Sequence, residues 1–321
     1  MKHILIGLLA FSSVAMACRP TNETTSTAQQ THVETSQSLT SYNAISITGR
    51  AKVYYTQSDQ APYYELSNPN NWKEIPTVEV KNGVLCIDYK LTGRNNIDGR
   101  EFPTIHVYGP DFSQIKLDGS GDFIMNDLHS DNHMDITLNG SGDITFNELS
   151  TKGDVRLTLI GSGDIDLKQT TCNQFHATLR GSGDIDLEHV KCDQLHTILR
   201  GSGDINIVSM ACSTLHTSLN GSGDIKLSTI TAEKVVAKLD GSGDVELKGN
   251  CEQADLTLKG TGDLDAFNLQ ANHVRATQNN GSGSLKCHAV KTLQTQTNGS
   301  ERILYTGNPK VTATGKAPHR K

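Results

Sequence analysis

The sequence predicts an all-β chain: a single-stranded, right-handed parallel β-helix (β-solenoid) with about 20 residues per coil. Three observations predict it. The first is a fixed beat. Gly-Ser-Gly-Asp stands at Gly119–Asp122, Gly140–Asp143, Gly161–Asp164, Gly181–Asp184, Gly201–Asp204, Gly221–Asp224 and Gly241–Asp244, and Gly260–Asp263 and Gly281–Ser284 continue it in degenerate form. Successive starts lie 21, 21, 20, 20, 20, 20, 19 and 21 residues apart, the signature of stacked units that touch only their neighbours. The second is period-two alternation between the repeats. Phe175, Ala177 and Leu179 alternate with His176, Thr178 and Arg180, and Ile185 and Leu187 with Asp184, Asp186 and Glu188, as in half-buried strands. The third is the short period, which leaves no room for a crossover helix. Successive units must therefore stack as parallel strands, and β-crossovers are nearly always right-handed.

The elements follow in order. Residues 1–17 read as a signal peptide, with basic Lys2 and His3, an apolar run from Ile4 to Phe11, and the small-residue site Ala15-Met16-Ala17. That run is too short to span a bilayer. Cleavage would leave Cys18 first, a candidate lipidation site and membrane anchor, although Ala15 stands where lipoprotein leaders usually have Leu. The alternative is ordinary cleavage that happens to precede a cysteine. Residues 18–40 are rich in Thr, Ser, Gln and Asn and read as a flexible tether.

Residues 41–118 lack the Gly beat but keep strand alternation, as in Ile45-Ser-Ile47, Val53-Tyr-Tyr-Thr, Val84-Leu-Cys-Ile87 and Ile105-His-Val107, with a tight-turn signal at Asn82-Gly83. They read as irregular first coils that also cap the open end. Residues 119–308 form the regular coils. One inward column is expected to run Met134, Val155, Phe175, Leu195, Leu215, Val235, Ala254, Val274, Leu293, and another Ile144, Ile165, Ile185, Ile205, Ile225, Val245, Leu264, Leu285. The glycines of each repeat fall on the inward parity, where two sheets meet and a side chain would not fit. Residues 309–321 read as a C-terminal tail, with the basic stretch Lys316–Lys321 unstructured.

The outward ladders are the candidate chemistry. Eight aspartates, from Asp122 to Asp263, should stack in one row. Neighbours one strand spacing apart, about 4.8 Å, repel by roughly 0.9 kcal/mol in bulk water, so something must offset seven such pairs. Backbone N–H groups of the same or the next Gly bend are the structural solution. A row of calcium ions is the functional one, but one Asp and one Ser per coil supply few of the six to eight oxygens calcium takes.

Cys172, Cys192 and Cys212 share a coil position with Ala232, Cys251 and Ala271, a small buried column in which stacked neighbours lie within disulfide reach. His176, His196 and His216 stack on the outer face. They lack the surrounding ligands of a metal centre, so no metal and no cofactor are assigned. A row of Thr137, Thr158, Thr178, Ile198, Ser218, Lys238, Thr257 and Thr277 is too interrupted to template ice.

No catalytic residue is assigned. The near-constant period leaves no inserted loop to wall a cleft, and no Ser-His-Asp arrangement or phosphate loop followed by a helix is present. A net charge of −6 without a basic stripe excludes nucleic acid as the expected partner. Seven of eight tyrosines and the lone Trp precede residue 110, so a localised ligand site is sought at Tyr54, Tyr63, Tyr64 and Trp72. The alternative is that these rings only pack the cap.

Taken together, Tyr42-Asn-Ala-Ile45-Ser-Ile47-Thr-Gly49, Val53-Tyr-Tyr-Thr-Gln57, Asn82-Gly83-Val84-Leu85-Cys-Ile87 and Ile105-His-Val107-Tyr-Gly-Pro110-Asp-Phe112 resemble the head GIN domain family. So does the following Ile115-Lys-Leu117-Asp-Gly-Ser-Gly121. This family of Bacteroidetes envelope proteins is labelled auto-transporter adhesin. The resemblance covers roughly residues 40 to 300 and implies a β-helical fold and a binding role without naming a ligand or a catalytic residue. The expected function is a non-enzymatic, outer-membrane-anchored envelope lipoprotein whose solenoid surface binds a glycan or another envelope protein. A self-assembling structural scaffold is the first alternative, and a polysaccharide-processing β-helix enzyme the second.

Overall fold

The computed structural model describes residues 35–67, 74–89, 103–298 and 302–321. Within the compact unit Val33–Lys321 every element of the described residues is a strand, and together they form a parallel β-solenoid of about 20 residues per coil. Each regular coil supplies one strand before its Gly corner and one after it. β10 (Met134–Gly140) and β11 (Ile144–Thr151) make one coil. β12 (Val155–Gly161) and β13 (Ile165–Thr171) make the next, and β14 (Gln174–Leu179) and β15 (Ile185–Lys191) the third. β16 (Gln194–Leu199) then leads into β17 (Ile205–Leu219). From β17 onward the polar turn between coils stays extended. β18 (Ile225–Leu239), β19 (Val245–Leu258) and β20 (Leu264–Gln278) therefore each run between successive Gly corners, and β21 (Leu285–Thr297) runs on from the last of them.

The register matches the alternation. Met134, Val155, Phe175, Leu195 and Leu215 pair in sequence, as do Ile144, Ile165, Ile185 and Ile205, and all are fully buried. Each such side chain contributes about 1.5–3 kcal/mol on leaving water, so the core is a set of apolar columns on the coil axis. It turns polar near its end. Leu258 is followed in its column by Gln278 and Thr297, and Leu256 by Ala276 and Thr295. The Oγ1 atoms of buried Thr295 and Thr297 find no hydrogen-bond partner.

The N-terminal strands depart from simple stacking. β2 (Ala44–Gly49) and β3 (Lys52–Gln57) are followed by β4 (Tyr63–Ser67), β5 (Thr77–Lys81), β6 (Val84–Tyr89) and β7 (Thr104–Gly109). β8 (Gln114–Gly119) and β9 (Asp122–Ser130) come next. β2 pairs with β6 on one side and β8 on the other, and β3 likewise with β7 and β9. The first coil in the chain is thus sandwiched between later ones, and sequential units do not everywhere stack in sequence order.

Antiparallel strands finish that end: β5 lies on β6, β4 on β7, and β1 (Thr35–Ser38) on β4. The β5–β6 hairpin turns through Asn82 and Gly83, both at positive φ (52° and 76°), as the Asn-Gly signal demands. At the other end, β23 (Lys310–Gly315) continues parallel to β21. β24 (His319–Arg320) pairs with β22 (Leu304–Gly307), so residues 309–321 carry paired strand where a tail was expected.

Candidate functional site

The Gly-Ser-Gly-Asp corner is built by backbone contact between coils. A Cβ placed on Gly161 would lie 2.0 Å from the carbonyl oxygen of Gly140, and one on Gly163 would lie 1.8 Å from that of Gly142. The same clash recurs at every repeat. Glycine is required because the preceding coil's carbonyl occupies the side-chain position, not because a facing sheet does, which corrects the inward-corner expectation. Gly161 O accepts the N–H groups of both Ser182 and Gly183, at 2.8 and 3.3 Å. The next N–H, of Asp184, is left without a carbonyl. The side chain of Asp164 supplies the acceptor, its Oδ1 lying 2.8 Å from Asp184 N.

That bond repeats along the row. Asp143 accepts from Asp164 N, Asp184 from Asp204 N, Asp204 from Asp224 N, Asp224 from Asp244 N, and Asp244 from Asp263 N, all between 2.7 and 3.0 Å. Asp263 accepts from Ser284 N at 2.8 Å. Lysines add charge at intervals: Lys52 on Asp122 (3.6 Å), Lys226 on Asp224 (3.3 Å) and Lys286 on Asp263 (3.2 Å). Lys52 holds the Asp position of a corner the sequence reading missed. Gly49 pairs with Gly119, and a Cβ on Gly121 would meet Ala51 O, so Gly49-Arg50-Ala51-Lys52 is a degenerate first repeat. Its signal was the apolar pattern on either side, Ile45, Ile47 and Val53, Tyr55, aligned with Ile115, Leu117 and Phe123, Met125.

The strands after the corner carry an acidic face. Asp166 and Asp186 pair in register beside the main row. Burial, then Asp186, Asp164 and Asp143, push the Asp166 carboxyl up to about 6. Among the described residues no group of three or more His, Cys, Asp or Glu is placed to hold a metal ion.

The strands before the corner carry a different face. The His176 and His196 rings stack 4.6 Å apart at 12°, and His196 and His216 4.7 Å apart at 7°. Burial, then the neighbouring imidazoles, hold His196 below the usual histidine range. Burial, then Lys234 and Lys238, do the same for His216. Arg180 and Arg200 stand exposed, one coil apart, at the corner end of this face.

The six described cysteines are free thiols. In the shared column, hydrogen bonding to Cys172 and then burial push the Cys192 thiol up. Burial pushes Cys212 and Cys251 up to about 12. Such thiols are weak nucleophiles.

The aromatic candidates separate. Tyr54 stacks on His106 (5.2 Å) and Tyr63 on Tyr108 (4.6 Å), both pairs on one outer face. Within each pair, one face of each ring is covered by the other. Tyr64 points the other way. It is buried among core residues, its hydroxyl donating to Gln37 Oε1 at 2.6 Å, and so drops out as a surface contact. Trp72 and Cys18 lie outside the described residues.

Fold and surface together define a β-solenoid of regular coils that displays stacked polar side chains on two outer faces. The family model described as "Putative auto-transporter adhesin, head GIN domain" matches residues 41–211 and 209–309, and the chain belongs to that family. Three solved structures are similar to it. A "putative lipid binding protein" from Parabacteroides distasonis is 21% identical over 89% of this chain and 95% of its own, with a TM-score of 0.39. A "putative adhesin" from Parabacteroides merdae is 19% identical over 89% and 94%, with a TM-score of 0.38. Another "putative adhesin", from Bacteroides fragilis, is 19% identical over 91% and 97%, with a TM-score of 0.31. A search of curated proteins finds no match.

Proposed function

We propose that the chain is a non-enzymatic binding protein of the cell envelope, an adhesin tethered through lipidated Cys18. Its ligand, a glycan or another envelope protein, lies on the outer faces of the coils. The carrying observation is the fixed display of like side chains at one-coil spacing, such as the stacked His176, His196 and His216. A row of this kind offers a repeating partner many weak contacts in register, and linked weak contacts multiply. The Asp row is spent on its own backbone, which supports a structural role for the most conspicuous acidic groups. The family's adhesin description and the Lys2-to-Cys18 leader support the envelope location. Labelled mature protein should bind a restricted set of glycans or envelope-extract proteins, and mass spectrometry should find acyl chains on Cys18. Binding no better than that of an unrelated solenoid would overturn the reading.

A further inference from the structure

We propose that the face formed by β14, β16 and the second half of β17 binds an anionic polysaccharide, a chain bearing carboxylate or sulfate groups, with Arg180 and Arg200 as its anion contacts. The proposal rests on the binding role above and names the class of ligand. Several basic side chains elsewhere on this face are paired, Arg156 with Asp135 (3.3 Å), Lys234 with Asp255 (3.2 Å) and Lys259 with Asp240 (3.0 Å), while Lys238 and Arg275 form no ion pair among the described residues but stand in separate rows. Arg180 and Arg200 are exposed and, among the described residues, make no ion pair. Two guanidiniums in adjacent coils repel one another, and their planar forks suit bidentate capture of carboxylate or sulfate.

The rows around them favour a narrow, extended partner. The arginine row reads Asn139, Ile160, Arg180, Arg200, Asn220, without an acidic residue over five coils. The adjacent row reads Thr137, Thr158, Thr178, Ile198, Ser218, Lys238, also without an acid, and its hydroxyls suit sugar oxygens. Over these five coils a polymer lying along the coil axis would thus meet cations and hydroxyls but no carboxylate in the two rows, and Asp118 and Asp240 bound the arginine row at its two ends. Small anions are disfavoured, since small-ligand sites are concave and this face is an open sheet. Nucleic acid is disfavoured because two arginines fall short of a phosphate-tracking stripe.

The test is titration of the mature chain with polygalacturonate, chondroitin sulfate, neutral dextran and single-stranded DNA at low and moderate salt, alongside sedimentation velocity. Uronate or sulfate polymer should bind, weaken with salt, and lose about tenfold or more in affinity in R180Q/R200Q. R180K/R200K should keep part of the binding, and K248Q, after the corner, should leave it unchanged. An unchanged melting temperature would show that R180Q/R200Q folds. Failure of both anionic polymers to bind, or equal binding by R180Q/R200Q, overturns the proposal. So does DNA binding as tight as that of the polysaccharides. Salt-sensitive self-association lost in both R180Q/R200Q and D184N/D186N would instead assign the face to a second copy. Binding of a neutral glycan or envelope protein, unaffected by R180Q/R200Q, would leave the broader binding role standing while this proposal fails.

Discussion

The carboxylate of Asp164 accepts the backbone N–H of Asp184, 2.8 Å away in the next coil. This one bond explains why an Asp closes the repeat. Parallel pairing lapses at the corner, where one glycine carbonyl takes two N–H groups, and the side chain replaces the missing acceptor. It also answers how stacked carboxylates coexist: from Asp143 to Asp263 each faces a donor fixed by the next coil, and Asp122 faces Lys52.

Asp204→Ala should therefore strand the N–H of Asp224 and destabilise the chain by about 1–3 kcal/mol, whereas Asp204→Asn, which keeps an acceptor, should cost under about 1 kcal/mol. Amide exchange at Asp224 reads the effect locally. Equal protection of that amide in both variants would contradict the assignment.

The corner glycines make a harder demand. A Cβ at Gly203 would sit 1.8 Å from Gly183 O, so Gly203→Ala must separate two coils and should cost about 3 kcal/mol or more. Ser202→Ala, one residue away and exposed, should stay within about 0.5 kcal/mol. Thermal melts of the pair check this contrast.

Thr295 buries a hydroxyl without a partner between Ala276 and Ala313, its neighbours in the column. Thr295→Val keeps the shape and removes the unsatisfied oxygen, and should stabilise by about 1 kcal/mol. A lower denaturation midpoint would show that the hydroxyl has a partner in solution.

Two titrations act with opposite sign. His196 is held below its ordinary range, so the unfolded chain binds its proton more readily, and this contribution to stability is lost as pH falls through the folded-state value. Asp166 is raised from 3.8 to about 6, so its contribution is present below the unfolded value and lost as pH rises through about 6. Asp166→Asn should therefore raise stability at neutral pH. Discounted for partial exposure, the gain is about 1 kcal/mol. The gain should vanish in acid below the unfolded value, where the wild-type carboxyl is protonated in both states. A gain independent of pH would point away from charge crowding.

Much of this architecture was legible before the coordinates. Alternation gave the buried columns residue by residue, because inward and outward parity survives the glycine corner unchanged. The first repeat was hidden because Arg50, Ala51 and Lys52 replace Ser, Gly and Asp, and only strand pairing aligns Gly49 with Gly119. The insertion of β2 and β3 between later coils was also hidden, since a local pattern specifies a strand and not its neighbour. Tyr64 was misjudged although the signal existed. Parity with Leu66 puts Tyr64 inward and Tyr63 outward. The Arg180–Arg200 pair carries no local signal, because its meaning lies in the ion pairs it lacks, which only the folded surface defines.

The most direct test of the central claim, that this solenoid binds without chemistry, is prolonged incubation of the mature chain with polygalacturonate and chondroitin sulfate, scoring retention on the protein and new reducing ends in the polymer. Retention should depend on Arg180 and Arg200, with no change in polymer length. Shortened polymer, produced in proportion to protein and time, would contradict the claim.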